Sequence, residues 1–388
     1  MGPIGSQPEP LGPPRTLMCS HGALVLTMRI TTVDVVGRAI PFDGAFPMSY
    51  EDHAASDHVF VRIGTDAGRV GYGEGTALPW FTGETTAGMV EVIERWITPS
   101  VEGRPVHEAM AALAAFDESF PNAPGATTAV DLALLDLEGK RLGTPVADLL
   151  GPTVRDSVPL VFVIPALNPA DAVERAAAGV ESGFRRFKIK ADGDVGGDVE
   201  RINAVLDVLP DDGTLRVDAN TGWRDVATAR RAVAGLDSTE RIEYLEQPTA
   251  ADRPEAMRDL WTETGVRVFA DESVHGPGDL ERLGERGLVA GCHLKLAKTG
   301  SLRGLRHLAT VARRHGLSTS PVSAFGTSLE AAANLHLAAT LTGMSAGCEL
   351  CMNLVAEDVA EPAFDFEPVV DVPTDPGLGV GLPDSLFE

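Results

Sequence analysis

The chain has 388 residues, 44% of them hydrophobic, enough for two domains or for one large domain with additions around a real core. Its formal charge of −24, with no clustering of the 32 basic residues, excludes a reader of the nucleic-acid phosphate backbone. No apolar run approaches the roughly 20 residues of a membrane span, no secretory signal order opens the chain, and Cys348 and Cys351 are not backed by a histidine pair at zinc spacing, so a reduced, cytoplasmic globular protein is expected.

Residues 1–27 are rich in Pro and Gly and read as a flexible extension outside the fold. Residues 28–150 read as an α+β domain. TTVDVVGRAI and DHVFVRIGTDAGRVGYGEG have the pattern of antiparallel strands, the second run turning at Asp66-Ala67-Gly68, and helical periodicity follows from Thr85 to Leu150. From residue 156 the pattern changes to short apolar runs alternating with amphipathic helices, the mark of βα units and a parallel sheet. The strand candidates are VPLVFVI (158–164), RRFKIK (185–190), TLRVDAN (214–220), IEYLEQP (242–248), VRVFADES (266–273), GCHLKLAK (291–298), GLSTSPV (316–322) and GCELCM (347–352). Helices such as NPADAVERAAAGVESG carry their own start signal, with Asn168 as cap and Pro169 at the first helical position. Eight such strands predict a (β/α) barrel over residues 151–354. The tail, 355–388, has no βα unit and is expected to return to the first domain.

A barrel strand turns one face to the helices and the other to the interior, where a charge at the start or middle of a strand is expensive to bury. Charges therefore belong at the carboxyl ends. The sequence places them there on successive strands: Lys188 and Lys190, Asp218 with Asn220, Glu246, Asp271, and Lys295. Steps of 28, 28, 25 and 24 residues from Lys190 to Lys295 are single βα units, so these side chains gather round one mouth. Three carboxylates there call for a hard cation, Mg²⁺ or Mn²⁺. Lys190 and Lys295 then flank it, and a lysine beside a dication and a second lysine is expected to have its pKa drawn down toward that of a base.

On these residues the chain resembles the enolase superfamily and, within it, the muconate-lactonising subgroup of the mandelate racemase/muconate lactonizing enzyme family. The resemblance rests on Lys188-Ile189-Lys190, Asp218 in VDAN, Glu246 in EQP, Asp271 in ADES, Lys295 in LKLAKTG, the run ALLDLEGKRLGTPVADLLG (133–151) and GTSLEAAANLHLAA (326–339). It implies a modified (β/α)7β barrel under an α+β capping domain completed by the tail. It also implies abstraction of the α-proton of a small-molecule carboxylate to a metal-stabilised enediolate, with Lys188, Lys190 and Lys295 catalytic and Asp218, Glu246 and Asp271 holding the metal. GLSTSPVSAFGTS contains no histidine, which disfavours the His-Asp branches of the superfamily. Two opposed lysines favour racemisation or epimerisation of an amino-acid-type carboxylate; muconate-type cycloisomerisation or dehydration is the alternative, and a non-catalytic metal-binding barrel the less favoured one. Lys298 and Glu349 are supporting candidates. The segments 42–58 and 75–86 correspond by resemblance to capping loops, in which Phe46, Tyr50, Trp80 and Phe81 are expected to wall the substrate, and His53 and His58 to meet a polar group on it. A homo-oligomer is expected.

Overall fold

A computed structural model describes residues 28–47, 52–120, 122–344 and 347–388. The capping domain begins with a three-stranded antiparallel sheet, β1 (Ile30–Pro47), β2 (Asp52–Thr65) and β3 (Val70–Thr76). The β2–β3 turn falls where the sequence places it: Gly68 takes φ +69 and its N–H donates to the Thr65 carbonyl at 3.0 Å. Helices Thr86–Val92, Val106–Ser119 and Pro124–Leu142 then cover the sheet. The last of these approaches β3 unusually closely. Gly71, Gly73 and Gly75 share one face of the strand, and a Cβ on any of them would strike the carbonyl oxygens of Ala133, Ala129 and Gly125 respectively.

Strand β4 (Ser157–Pro159) lies outside the barrel and pairs antiparallel with β12 (Val369–Asp371) of the tail. The run 158–164, expected as one strand, is therefore split between two sheets. The parallel sheet is β5 (Phe162–Ile164), β6 (Arg186–Lys190), β7 (Thr214–Asp218), β8 (Ile242–Glu246), β9 (Val268–Ala270), β10 (Gly291–Leu294) and β11 (Ser318–Pro321), neighbours in that order. The eighth candidate, GCELCM, forms no strand. It is reduced to two parallel bridges, Glu349 to Val322 and Cys348 to Leu160, which join the two edges of the curled sheet. Ile189, Val217, Leu245 and Leu294 face the surrounding helices in the main core, as the alternation requires. Asn168 caps its helix as read, accepting from the Asp171 N–H at 3.1 Å. The tail docks on the capping sheet, where Arg62 pairs with Asp384 at 2.8 Å and Arg38 donates to the Leu386 carbonyl.

Candidate active site

Strand register brings the charged residues into two layers. Lys190 lies opposite Asp218 and Asp218 opposite Glu246, while one step deeper Lys188 lies opposite Arg216 and Arg216 opposite Tyr244. The outer layer opens into a cleft of about 600 Å³, mouth included, whose lining includes Lys188, Lys190, Asn220, Asp271, Lys295 and Glu349 on its polar side. Leu78, Trp80, Phe81, Val163, Val322 and Phe325 form its apolar wall.

Lys190 donates to Asp218 Oδ2 at 2.6 Å and to Asn220 Oδ1 at 2.9 Å. Lys295 follows the end of β10 and donates to Asp271 Oδ2 at 2.5 Å, with its ammonium 5.5 Å from the centre of the Phe81 ring. Phe81 in turn stacks on His275. Lys188 is enclosed by three carboxylates, Glu349 at 2.6 Å, Glu246 at 2.7 Å and Asp218 at 2.9 Å. Burial works against the Lys188 ammonium, yet these carboxylates outweigh it and hold its pKa well above the usual lysine value. Burial likewise opposes charge on Lys295, and Asp271, Glu246 and Glu272 prevail over it, so its pKa too is raised. For both lysines the carboxylates in direct contact set the direction, whereas the lowering expected of Lys295 belongs to a site that holds a dication. The same pairs act on the acids: burial would raise Asp218 and Asp271, but Lys188 with Lys190, and Lys295 with Lys298, pull them below the usual carboxylate range.

Lys298 is buried. Its Nζ donates to the carbonyls of Asp271 and His293 and lies 2.9 Å from Asp271 Oδ1, so it fixes Asp271 in place. Glu349 is spoken for by Lys188, by Arg216 at 2.8 Å and by the Tyr244 hydroxyl at 3.3 Å. Trp80 is 41% exposed at the rim. Tyr50 lies outside the described residues, as does the side chain of Phe46. His58 is not at the mouth: it is fully buried in the capping sheet, with Nδ1 2.9 Å from Glu74 Oε1. Cys348 and Cys351 stand at CxxC spacing but are free, buried thiols.

The sequence reading missed the inner layer. Arg216, in the middle of β7, is wholly buried and held by Glu349 and Glu243. Tyr244, Phe269 and His293 pack on one another beside it. The signal was available, since each stands two residues before a charge already assigned to the interior face. Glu272 was also missed; it lines the cleft and accepts from Asn220 Nδ2 at 3.0 Å, and burial, with Asp271 and Asp218, pushes its carboxyl up to about 7.

A curled parallel sheet with lysines and carboxylates at its carboxyl ends, under an antiparallel cap, defines an enzyme of the enolase fold. Residues 29–151 match the mandelate racemase/muconate lactonizing enzyme N-terminal domain, and residues 171–385 the enolase C-terminal domain-like family. The chain is 27% identical to the N-succinyl-L-Arg/Lys racemase of Bacillus cereus, over 93% of this chain and 97% of that protein, and 31% identical to muconate cycloisomerase 1 of Rhodococcus opacus, over 92% and 96%. The crystal structure of the B. cereus racemase superimposes with a TM-score of 0.86, at 27% identity and 93% and 97% coverage. That of the Pseudomonas fluorescens muconate lactonizing enzyme complexed with muconolactone gives 0.87, at 26% identity and 93% and 98% coverage. The chain belongs to the mandelate racemase/muconate lactonizing enzyme family of the enolase superfamily, and it is an enzyme of the isomerase class.

The family implies a divalent metal, and the side chains present fit one. Glu246 is completely buried and its Oε1 has no hydrogen-bond partner; its Oε2 lies within pairing distance of Lys188 and His293 but out of hydrogen-bond alignment. Among the described residues, the ligand atoms of Glu246, His293 and Glu349 come within 4.8 Å of one another. Each candidate oxygen ligand already meets a cation of the protein: Glu349 meets Lys188 and Arg216, Asp218 meets Lys188 and Lys190, Glu246 meets Lys188, and Asp271 meets Lys295 and Lys298. A hard cation suits the all-oxygen set of the last three. No helix among the described residues is long and apolar enough to cross a membrane.

Proposed function

We propose that this enzyme is a Mg²⁺- or Mn²⁺-dependent racemase or epimerase of an amino-acid-type carboxylate. The observation that carries the reading is the placement of Lys190 and Lys295: both line one cleft, from β6 and from the end of β10, with Asp218, Glu246 and Asp271 on the strands between them. A cation on those three carboxylates would balance the charge that grows on a substrate carboxylate as its α-carbon loses a proton. Lys190, aligned by Asp218 and Asn220, takes or returns that proton on one face of the α-carbon. Lys295, aligned by Asp271, does so on the other. Lys188 stays charged among three carboxylates and keeps them in register, and the apolar wall excludes water. The likeness to the B. cereus racemase supports this choice within the family. We also propose that the domains divide at 28–150 and 151–354, with the tail 355–388 completing the cap.

Muconate-type cycloisomerisation is the second reading, favoured by the 31% identity to the R. opacus enzyme; it needs only one active lysine. Solvent-deuterium exchange into N-acyl amino acids and muconates separates the two. With two bases, Lys190→Ala loses exchange with one enantiomer only, Lys295→Ala with the other, and racemisation vanishes in both. Turnover retained in Lys295→Ala would make Lys295 an electrostatic partner and leave the one-base reaction.

A further inference from the structure

One wall of the cleft is built from Ser323, Ala324 and Phe325, a segment between β11 and the helix Ser328–Ala339 with no regular structure of its own. Phe325 adopts φ +68, a left-handed conformation that an aromatic residue holds only when its surroundings impose it. The constraint comes from two buried carboxyl groups. Glu330, in the first turn of the helix, reaches back to the wall: Oε1 accepts the Ala324 N–H at 3.1 Å and Oε2 accepts from the Ser323 hydroxyl at 2.9 Å. Ser323 Oγ in turn accepts the Gly326 N–H at 3.0 Å.

The second group comes from the other domain. Glu74 on β3 accepts the Thr327 N–H at 2.9 Å through Oε1, and the Thr327 hydroxyl at 2.7 Å and the Glu330 N–H at 3.0 Å through Oε2, with His58 behind it. Both acids are buried. An acid in the first turn of a helix ordinarily points to solvent and favours the helix dipole; Glu330 instead spends its oxygens on the backbone and side chain of a substrate-facing segment. Burial and the nearby Glu74 push its carboxyl up to about 7, so a glutamine is a close mimic of its protonated form.

We propose that Glu330 is a positioning residue for this reaction: it fixes the 323–327 wall of the cleft and, through Glu74, ties that wall to the cap. This rests on the reading of the cleft as the substrate site. The wall gives the cleft apolar surface, Ala324 and Phe325 packed with Leu78, Phe81 and Ala297, and no group that carries charge in the reaction, so what it holds is binding shared by ground and transition states. Loosening it raises KM and leaves kcat nearly unchanged.

The test compares Glu330→Gln, Glu330→Ala and Thr327→Val in the full chain, by steady-state kinetics on the substrate found in the deuterium screen and by residue-resolved amide exchange. Glu330→Ala is expected to raise KM about tenfold, with loss of protection at Ala324 and Gly326. Glu330→Gln is expected to stay within about twofold of wild type on both measures, because its amide can accept from Ala324 and donate to Ser323. Thr327→Val keeps Glu330 but removes one tie to Glu74; it is expected to raise KM in the same direction, and it serves if Glu330→Ala does not fold. A fall in kcat at constant KM, or Glu330→Gln behaving like Glu330→Ala, overturns the proposal. Unchanged protection at Ala324 and Gly326 in Glu330→Ala overturns it as well, and that readout needs no substrate. A wild-type protein that exchanges no carboxylate defeats the proposed activity alone.

Discussion

His336 gives a pH dependence whose sign and size follow from its surroundings. It is fully buried on the helix Ser328–Ala339, where Nδ1 accepts the Ala147 N–H at 3.3 Å and Nε2 faces the Leu378 carbonyl at 3.1 Å. That pattern requires the neutral ring with its proton on Nε2. A second proton would set N–H against N–H in a dry site. Burial, only partly offset by the Leu378 carbonyl and Asp148, lowers its pKa from 6.5 to about 4. Between these values the unfolded chain holds a proton that the native state does not, so stability rises with pH across the window and is lost as pH falls through it. At about 1.4 kcal/mol per tenfold change in proton affinity, the loss at pH 4 is about 3 kcal/mol relative to pH 7. Urea unfolding of wild type and His336→Gln from pH 4 to 7 measures it. The variant carries a constant cost for imperfect hydrogen bonds but no titration, so wild type should lose about 3 kcal/mol on it as pH drops. The comparison matters because Asp131 and Glu330, both raised to about 7, act in the opposite sense over the same range. A constant gap between the two proteins would refute the reasoning.

Asp131→Asn should show that opposite sense. Its buried carboxyl accepts the Leu302 N–H, which an amide oxygen can also do, and the variant's advantage in urea should grow from pH 4 to 7 toward an upper bound of about 4 kcal/mol. Gly73→Ala should destabilise by about 2–3 kcal/mol in thermal unfolding, because the added Cβ meets backbone of the Pro124–Leu142 helix, which cannot yield as a side chain would. Arg216→Met should cost about 3–5 kcal/mol, since it strands Glu349 and Glu243. Glu246→Gln should cost less than about 1 kcal/mol while abolishing metal-dependent turnover, because Lys188 keeps two other carboxylates and Oε1 loses no partner.

The outer layer was legible because inward charges at strand ends, spaced one βα unit apart, converge on a common mouth in any closed parallel sheet. Asn168, Gly68 and the helix-facing apolar residues were legible for local reasons, capping and period. The inner layer was not, because the reading took a mid-strand charge as prohibitively costly; Arg216 meets that cost with two carboxylates, one of them arriving from the last βα connection 133 residues away. Glu349 was visible as a residue but not as that partner. The eighth strand was overread, since GCELCM has strand composition yet makes only two bridges, and β4 was merged with β5 because nothing local marks where Val158 leaves one sheet and Phe162 joins another. The tie between Glu74 and Glu330 was invisible for the same reason as Arg216: its partners lie more than 250 residues apart.

These misses share a physical origin that bears on how the molecule separates folding from chemistry. Apart from His293, whose ring nitrogens have no hydrogen-bond partner among the described residues, the inner layer consists of groups that satisfy one another: Arg216 with Glu349 and Glu243, Tyr244 on Glu349, Lys298 on two carbonyls. Such a closed network is set by tertiary contact, so single-strand patterning cannot show it, and removing one member leaves another charge buried alone. The outer layer is open. Glu246 retains an unpartnered oxygen, Lys190 and Lys295 point into the cleft, and the opposite wall is apolar. Groups left incompletely satisfied in a buried site cost stability and are kept where a ligand completes them. The inner layer therefore holds the barrel against the repulsion of its own acids, the outer layer stays open to the cleft, and the wall at 323–327 is tied to the cap through Glu330 and Glu74.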